Sequence, residues 1–119
     1  MRVLSSREKQ TLQRSRFSSV DLGHCDFAGA DLRHARFDHV YLRGADFTGA
    51  DLRCAVFQNC DLREVELAGA RIEHARFDDS SLIGARGLTA QQRRYVLWRG
   101  GRFRSRGSLV RELRRIVPS

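Results

Sequence analysis

Three side chains able to ligate a metal recur at one interval: His34, Cys54 and His74 stand twenty residues apart. Two imidazoles and a thiolate are an ordinary zinc donor set. The other cysteines, Cys25 and Cys60, bring the total to three, with no Cys-x-x-Cys pair among them. That arrangement argues against a disulfide framework and for reduced thiols. Acidic residues recur in the same way, Asp31 with Asp51, and Asp26 with Asp46 and Glu66. Paired carboxylates perform acid–base chemistry only where a concavity excludes water and tunes their pKa values. The sequence has no Gly-rich phosphate loop, nucleophile elbow or metalloprotease helix. Catalysis and a cofactor are therefore not expected. Arginine is the remaining exposed signal: Arg33 lies twenty residues before Arg53, and Arg43 twenty before Arg63.

The interval of twenty is four intervals of five. From Phe17 a large apolar residue recurs at every fifth position: Phe17, Leu22, Phe27, Leu32, Phe37, Leu42 and Phe47, then Leu52, Phe57, Leu62, Leu67, Ile72, Phe77 and Leu82. Two places before each sits a small or moderately apolar residue, from Ser15, Val20, Cys25 and Ala30 to Ala75 and Ser80. A period of five fits neither the helix nor the strand. Read at twenty, the large residues sort into four columns. Two of these are uniform: Phe17, Phe37, Phe57, Phe77 and Leu22, Leu42, Leu62, Leu82. A solenoid with four five-residue sides per coil gives this pattern, with each side stacked on its copy at ~4.8 Å. Small residues then fill the corners of a narrow bore, and Cys25 and Cys60 become core filler. Gly29, Gly44, Gly49, Gly69 and Gly84 fall at outer turns.

That geometry weighs on the candidate chemistry. His34, Cys54 and His74 would project in parallel over roughly 10 Å, too far to share one ion at ~2 Å. They are expected as surface residues, and no metal is assigned to them. The arginine pairs become ladders on adjacent sides, repelling modestly unless carboxylates such as Asp31 and Asp51, or an acidic partner, compensate.

The motif Ala-Asp-Leu/Phe, visible at Ala30-Asp31-Leu32, Ala45-Asp46-Phe47 and Ala50-Asp51-Leu52, resembles the pentapeptide-repeat family. The resemblance runs from about Ser15 to Ala85. It implies an all-β solenoid, a right-handed quadrilateral β-helix. Tyr41, Val56, Arg36, Arg71 and Arg76 depart from the family's usual acidic or Asn position, which reshapes outer faces and leaves the fold intact. Some members of the family mimic B-form DNA in the saddle of a type II topoisomerase, as long and strongly acidic rods. Fourteen sides make only about 17 Å of rod, equivalent to about five base pairs, so gyrase protection is the alternative reading here.

Three segments are expected: a basic lead-in or cap at 1–14, the β-helix at 15–86, and a basic helical cap and extension at 87–119. An open solenoid end exposes backbone and bore unless covered. Thr89 to Gln92 reads as a capping box opening a helix over about 90 to 99, with Leu97 and Trp98 plugging the bore. Such a segment is similar to the terminal cap of the family. Ser108 is placed as the N-cap of a second helix over about 109 to 117, whose apolar stripe is Leu109, Leu113, Ile116 and Val117. That stripe must dock on the solenoid, on a second copy of itself or on another protein, and in relatives a C-terminal helix commonly makes a homodimer. At the other end, Leu12 continues the register beneath Leu32. A coil-like lead-in with Val3 or Leu4 over the bore is preferred to a short helix capped by Ser5 and Glu8.

Charge completes the reading. The chain carries +8 with 22 basic and 14 acidic residues, and a sequence pI near 10.9. Residues 1–16 carry +4, residues 17–86 carry −4, and residues 87–119 carry +8. A mildly acidic body between two basic ends suits a non-catalytic protein–protein interaction module, or scaffold, with a basic C-terminal docking segment. Candidate partner-binding residues are Arg33, Arg53, Arg43 and Arg63 on the body. Trp98, Arg102, Arg104, Arg106, Leu109, Leu113, Arg114 and Ile116 are their counterparts beyond it. Nucleic acid is a further possible partner, through the C-terminal arginines. No apolar run reaches the ~20 residues of a membrane span, and no signal-type apolar stretch opens the chain. A bacterial-type cytoplasmic protein is expected.

Overall fold

The computed structural model of this chain describes residues 4–104. Its elements are α1 (Ser6–Lys9), β1 (Arg16–Ser18), β2 (Arg36–Asp38), β3 (Val56–Gln58) and α2 (Ala90–Trp98). The strands form a parallel sheet in the order β1-β2-β3, with Phe17 opposite Phe37 and Phe37 opposite Phe57. Single parallel bridges continue the same register on the other sides: Asp21 to Tyr41 to Asp61 to Ser81, Asp26 to Asp46 to Glu66 to Arg86, and Asp31 to Asp51 to Arg71. Each of these partners lies twenty residues on, so one coil is twenty residues in four sides. Coil binds to coil through the backbone: the Leu22 N–H donates to Tyr41 C=O at 2.7 Å, Leu42 to Asp61 at 2.8 Å and Leu62 to Ser81 at 2.8 Å.

Each side ends in a turn, which explains the five-residue period. At three corners the N–H of the next small residue donates back to the large residue's carbonyl: Cys25 to Leu22 at 3.2 Å, Ala30 to Phe27 at 3.0 Å and Ala35 to Leu32 at 3.0 Å. The third residue of such a turn takes positive φ, here 59° at His24, 68° at Gly29 and 61° at His34. Gly44 shows why glycine suits this position. Its φ is +71°, and an added methyl would run into the His24 imidazole folded across it from the coil below.

After the phenylalanine side the first three coils lack this turn bond, and it returns only after Phe77, where the Ser80 N–H donates to Phe77 C=O at 3.0 Å. Ser80 is fully buried there; its hydroxyl donates to Phe57 C=O at 3.1 Å and accepts the Cys60 N–H at 3.1 Å. One coil earlier the Cys60 thiol points to Phe37 C=O at 3.2 Å. Burial pushes that thiol up to about 11, so it remains a protonated donor. Ser80 and Cys60 thus satisfy carbonyls that would otherwise be orphaned in the bore.

The core is the bore itself. Leu32, Leu42, Leu52, Leu82, Phe47 and the alanines at 30, 35, 45, 50, 55 and 75 are wholly buried. The Phe37 ring stacks on Phe17 at 4.8 Å and on Phe57 at 4.7 Å, and Phe57 on Phe77 at 5.4 Å. Phe27 stands edge-on to Phe37 at 6.4 Å, and Phe47 edge-on to Phe57 at 6.1 Å. Flat rings at the coil repeat bury large area without overfilling the narrow bore.

Two expectations at the ends need correction. The lead-in is not coil: residues 6–9 make one helical turn, opened by a reciprocal capping box between Ser5 and Glu8. The Lys9 carbonyl then accepts the Asp31 N–H at 2.9 Å, and Leu4 and Leu12 pack against the core. Val3 lies outside the described residues. At the other end α2 forms with the Thr89–Gln92 capping box, but Leu97 and Trp98 do not plug the bore. They are 54% and 76% exposed, while Val96 is wholly buried. Helix phase decides this: the Tyr95 hydroxyl donates to Ala75 C=O at 2.9 Å and turns Val96 inward. Gly101, pressed against Val96, Leu82 and Phe77, lets the returning chain close over the same point. Arg102 then bridges to Ser81 as the last added strand position.

Candidate protein-interaction surface

The outer surface begins with the turn residues. His34, Cys54 and His74 all adopt positive φ, 61°, 61° and 63°, at equivalent corners. Their shared column is a column of turn positions, where non-glycine residues with positive φ are enriched in Asn, Asp and His. Among the described residues no group of three His, Cys, Asp or Glu side chains is disposed to hold a metal ion.

The arginine ladders are engaged with their own fold. Arg33 forks onto Asp31 at 2.9 and 2.8 Å, Arg53 onto Asp51 at 2.9 and 2.7 Å, and Arg63 onto Asp61 at 2.8 and 2.7 Å. The local motif Asp-Leu-Arg places both polar side chains on the same outer face of the side, one residue apart around the apolar anchor. Guanidinium hydrogen bonds hold all three carboxyls below the usual carboxylate range. Arg33 also approaches Asp51 of the next coil at 3.9 Å. Arg43 reaches forward to Glu64 at 3.2 Å and lowers its pKa by hydrogen bonding. These four candidates are therefore structural charge pairs in the first instance.

At the C-terminal end, the Arg102 guanidinium donates to Asp79 C=O at 3.4 Å, and Arg99 lies over the Trp98 ring at 5.3 Å. Arg104 is exposed. Arg106, Leu109, Leu113, Arg114 and Ile116, and with them the expected helix over 109 to 117, lie outside the described residues. The groove along the fourth corner encloses about 530 Å³ between His39, Tyr41, Arg63, Ser81 and Ile83. It is open, and the Cys60 thiol on its floor is buried and protonated.

A different set of arginines was left out of the partner-binding candidates, although Arg36 was already marked as a departure on an outer face. Arg14 occupies the turn before the phenylalanine side with φ 61°, and its N–H donates to Arg33 C=O at 2.9 Å. Arg16 and Arg36 are register neighbours on β1 and β2, both exposed. Among the described residues no carboxylate pairs with any of the three. Reading the position before each phenylalanine at intervals of twenty, Arg16, Arg36, Val56 and Arg76, would have found this column.

Comparison with known proteins bears on the whole assembly. The description "pentapeptide repeat region" matches residues 5–67, and "pentapeptide repeats (8 copies)" matches residues 50–86. The chain is 26% identical to a pentapeptide repeat protein of the Arabidopsis thaliana thylakoid lumen, covering 83% of each chain at a TM-score of 0.58. It is 22% identical to a pentapeptide repeat protein from Nostoc, covering 79% of this chain and 77% of that one at a TM-score of 0.66, a likeness of fold. No curated protein matches it. Among the described residues no helix is long and apolar enough to cross a membrane. With its four-sided coils in register and the first description spanning more than half its length, this chain belongs to the pentapeptide-repeat family.

Proposed function

We propose that this protein is a non-catalytic protein–protein interaction module, a rigid scaffold or adaptor whose outer columns dock another protein. The observation that carries this reading is the sorting of its side chains. Among the described residues the bore is apolar, and its one buried polar residue, Ser80, serves the backbone. Charged groups stand on outer faces and are largely tied into local pairs. The described residues offer no enclosed pair of titratable groups for acid–base work, but they do offer flat, ordered faces at fixed spacing. The right-handed winding of the β-helix belongs to the proposal and follows the strong preference for right-handed crossovers between parallel strands. So does the division into 1–14, 15–86 and 87–119, with a basic C-terminal docking segment. Homodimer formation through the helix at 109 to 117 is a further part of it. The three free thiols support a cytoplasmic residence.

A DNA-mimic role on a type II topoisomerase is the alternative. It draws less support because residues 17–86 hold eight basic residues against twelve acidic ones, and Arg33, Arg53 and Arg63 neutralise three of those carboxylates. Nucleic-acid binding through Arg102, Arg104, Arg106 and Arg114 is the third reading. Affinity capture of the full chain from its native host, with nuclease treatment, separates them. A stoichiometric protein partner is expected. Recovery of nucleic acid alone would favour the third reading, and a partner identified as a topoisomerase would favour the second. Recovery of nothing would overturn the module.

A further inference from the structure

We infer that the corner bearing Arg14, Arg16 and Arg36 docks an acidic segment of a partner protein; this rests on the module reading and adds to it a surface and a partner chemistry. The backbone brings the three together on two successive coils: Arg16 is the register partner of Arg36, and Arg14 is bonded to Arg33, three residues before Arg36. Elsewhere on the coils, Arg33, Arg43, Arg53, Arg63, Arg76 and Arg86 each face a carboxylate. None of the carboxylates near this corner pairs with its arginines. Asp31 takes the Arg33 fork and a hydrogen bond from Gln13 at 2.6 Å. Asp78 lies two residues beyond Arg76 and pairs with it at 3.1 Å, whereas the equivalent Asp38 stands against His39 at 3.7 Å.

The fold does not require arginine in this column, because Val56 occupies it between Arg36 and Arg76. Like charges directly opposite in register are unfavourable. Two exposed guanidiniums held in register without a counter-charge are thus a local cost that an external anion would relieve. Guanidinium forks match carboxylates bidentately. Alternate residues of an extended segment lie on one side at ~6.8 Å spacing, within reach of long arginine stems on coils ~4.8 Å apart. A protein segment is favoured because the other guanidinium forks of these coils, at Arg33, Arg53 and Arg63, each close bidentately on a carboxylate.

The test uses the full chain and two fluorescent probes of equal charge: a Glu-Ser alternating peptide and a single-stranded oligothymidylate, followed by anisotropy. The peptide is expected to bind more tightly than the oligothymidylate. R16E/R36E should weaken peptide binding by roughly tenfold or more. R71E, at an exposed arginine on another side, should change it by less than about twofold. Equal losses in R16E/R36E and R71E, or no loss in either, would overturn the corner. Tighter oligothymidylate binding through Arg16 and Arg36 would overturn the acidic-protein assignment. R36V, which installs the residue found at 56, should weaken the peptide while leaving Tm unchanged or higher; a lowered Tm would assign Arg36 to folding instead. In the host capture experiment, a partner held equally by wild type and R16E/R36E would remove the corner and keep the module. Absence of any partner would remove the module.

Discussion

Phe57 and Phe77 occupy the same column and are each 1% exposed, yet their ring environments differ. Phe57 stacks on Phe37 at 4.7 Å and on Phe77 at 5.4 Å, and meets Phe47 edge-on at 6.1 Å. Phe77 has Phe57 as its aromatic neighbour. Replacement by leucine keeps each site apolar and removes the ring, so the transfer and cavity terms are similar at the two sites. The aromatic pair terms, each about 0.5–1.5 kcal/mol, are not similar. F57L loses three of them, about 1.5–4.5 kcal/mol, and F77L loses one, so the expected gap is about 1–3 kcal/mol. The double variant should cost less than the sum of the singles by about one pair term, since the shared 57–77 pair is lost only once. Urea denaturation followed by far-UV circular dichroism measures this, with an unchanged m value as the condition for comparison. Equal destabilisation by F57L and F77L would refute the claim that stacking along the column carries energy beyond apolar burial.

Three further predictions follow from the corners, the surface and the cap. S80A should destabilise by about 1–3 kcal/mol by orphaning the Cys60 N–H and the Phe57 carbonyl, and S80C, which repeats the Cys60 arrangement, should recover part of that; S80C no better than S80A would count against the side-chain ladder. Because the carboxyls of Asp31, Asp51 and Asp61 are depressed by arginine hydrogen bonds, their stabilisation is present above the unfolded value near ~3.9 and is lost as pH falls through the folded values. Tm should therefore be flat from neutral pH to about 5 and fall below about 4, with a shallower fall in D31N/D51N/D61N; parallel curves would assign acid lability to other groups. V96A should cost about 2 kcal/mol from lost burial while W98A, at an exposed position, leaves stability nearly unchanged; the reverse order in thermal melts would restore Trp98 as the plug.

The coil was legible in the sequence because its cause is local and repeated. A bore one side chain wide admits a large apolar residue only once per side, and the corner after it needs a small one, so Phe17 through Leu82 spell out the four columns directly. The β-turn chemistry was half legible. The glycines marked some corners, but His34, Cys54 and His74, which invited a zinc reading, also stand where the backbone takes positive φ. Residue type suggested ligands, and only the turn geometry explained their spacing.

Two things needed the tertiary structure. One is the phase of α2, set by where the Tyr95 hydroxyl and Gly101 meet the last coil; a nine-residue helix with four apolar residues in a row cannot announce which one faces inward. The other is the state of the arginines. Sequence placed Arg33, Arg43, Arg53 and Arg63 in ladders but could not say that each fork closes on a carboxylate, because pairing depends on rotamers and on the neighbouring coil. The same uncertainty kept Arg14, Arg16 and Arg36 out of the candidates, since their interest comes from having no carboxylate partner among the described residues. Periodicity along the chain thus determined the architecture, since stacking repeats the same local solution at each side. Three-dimensional neighbours decided which surface charges are spent within the fold and which face outward, since charge pairing acts across coils.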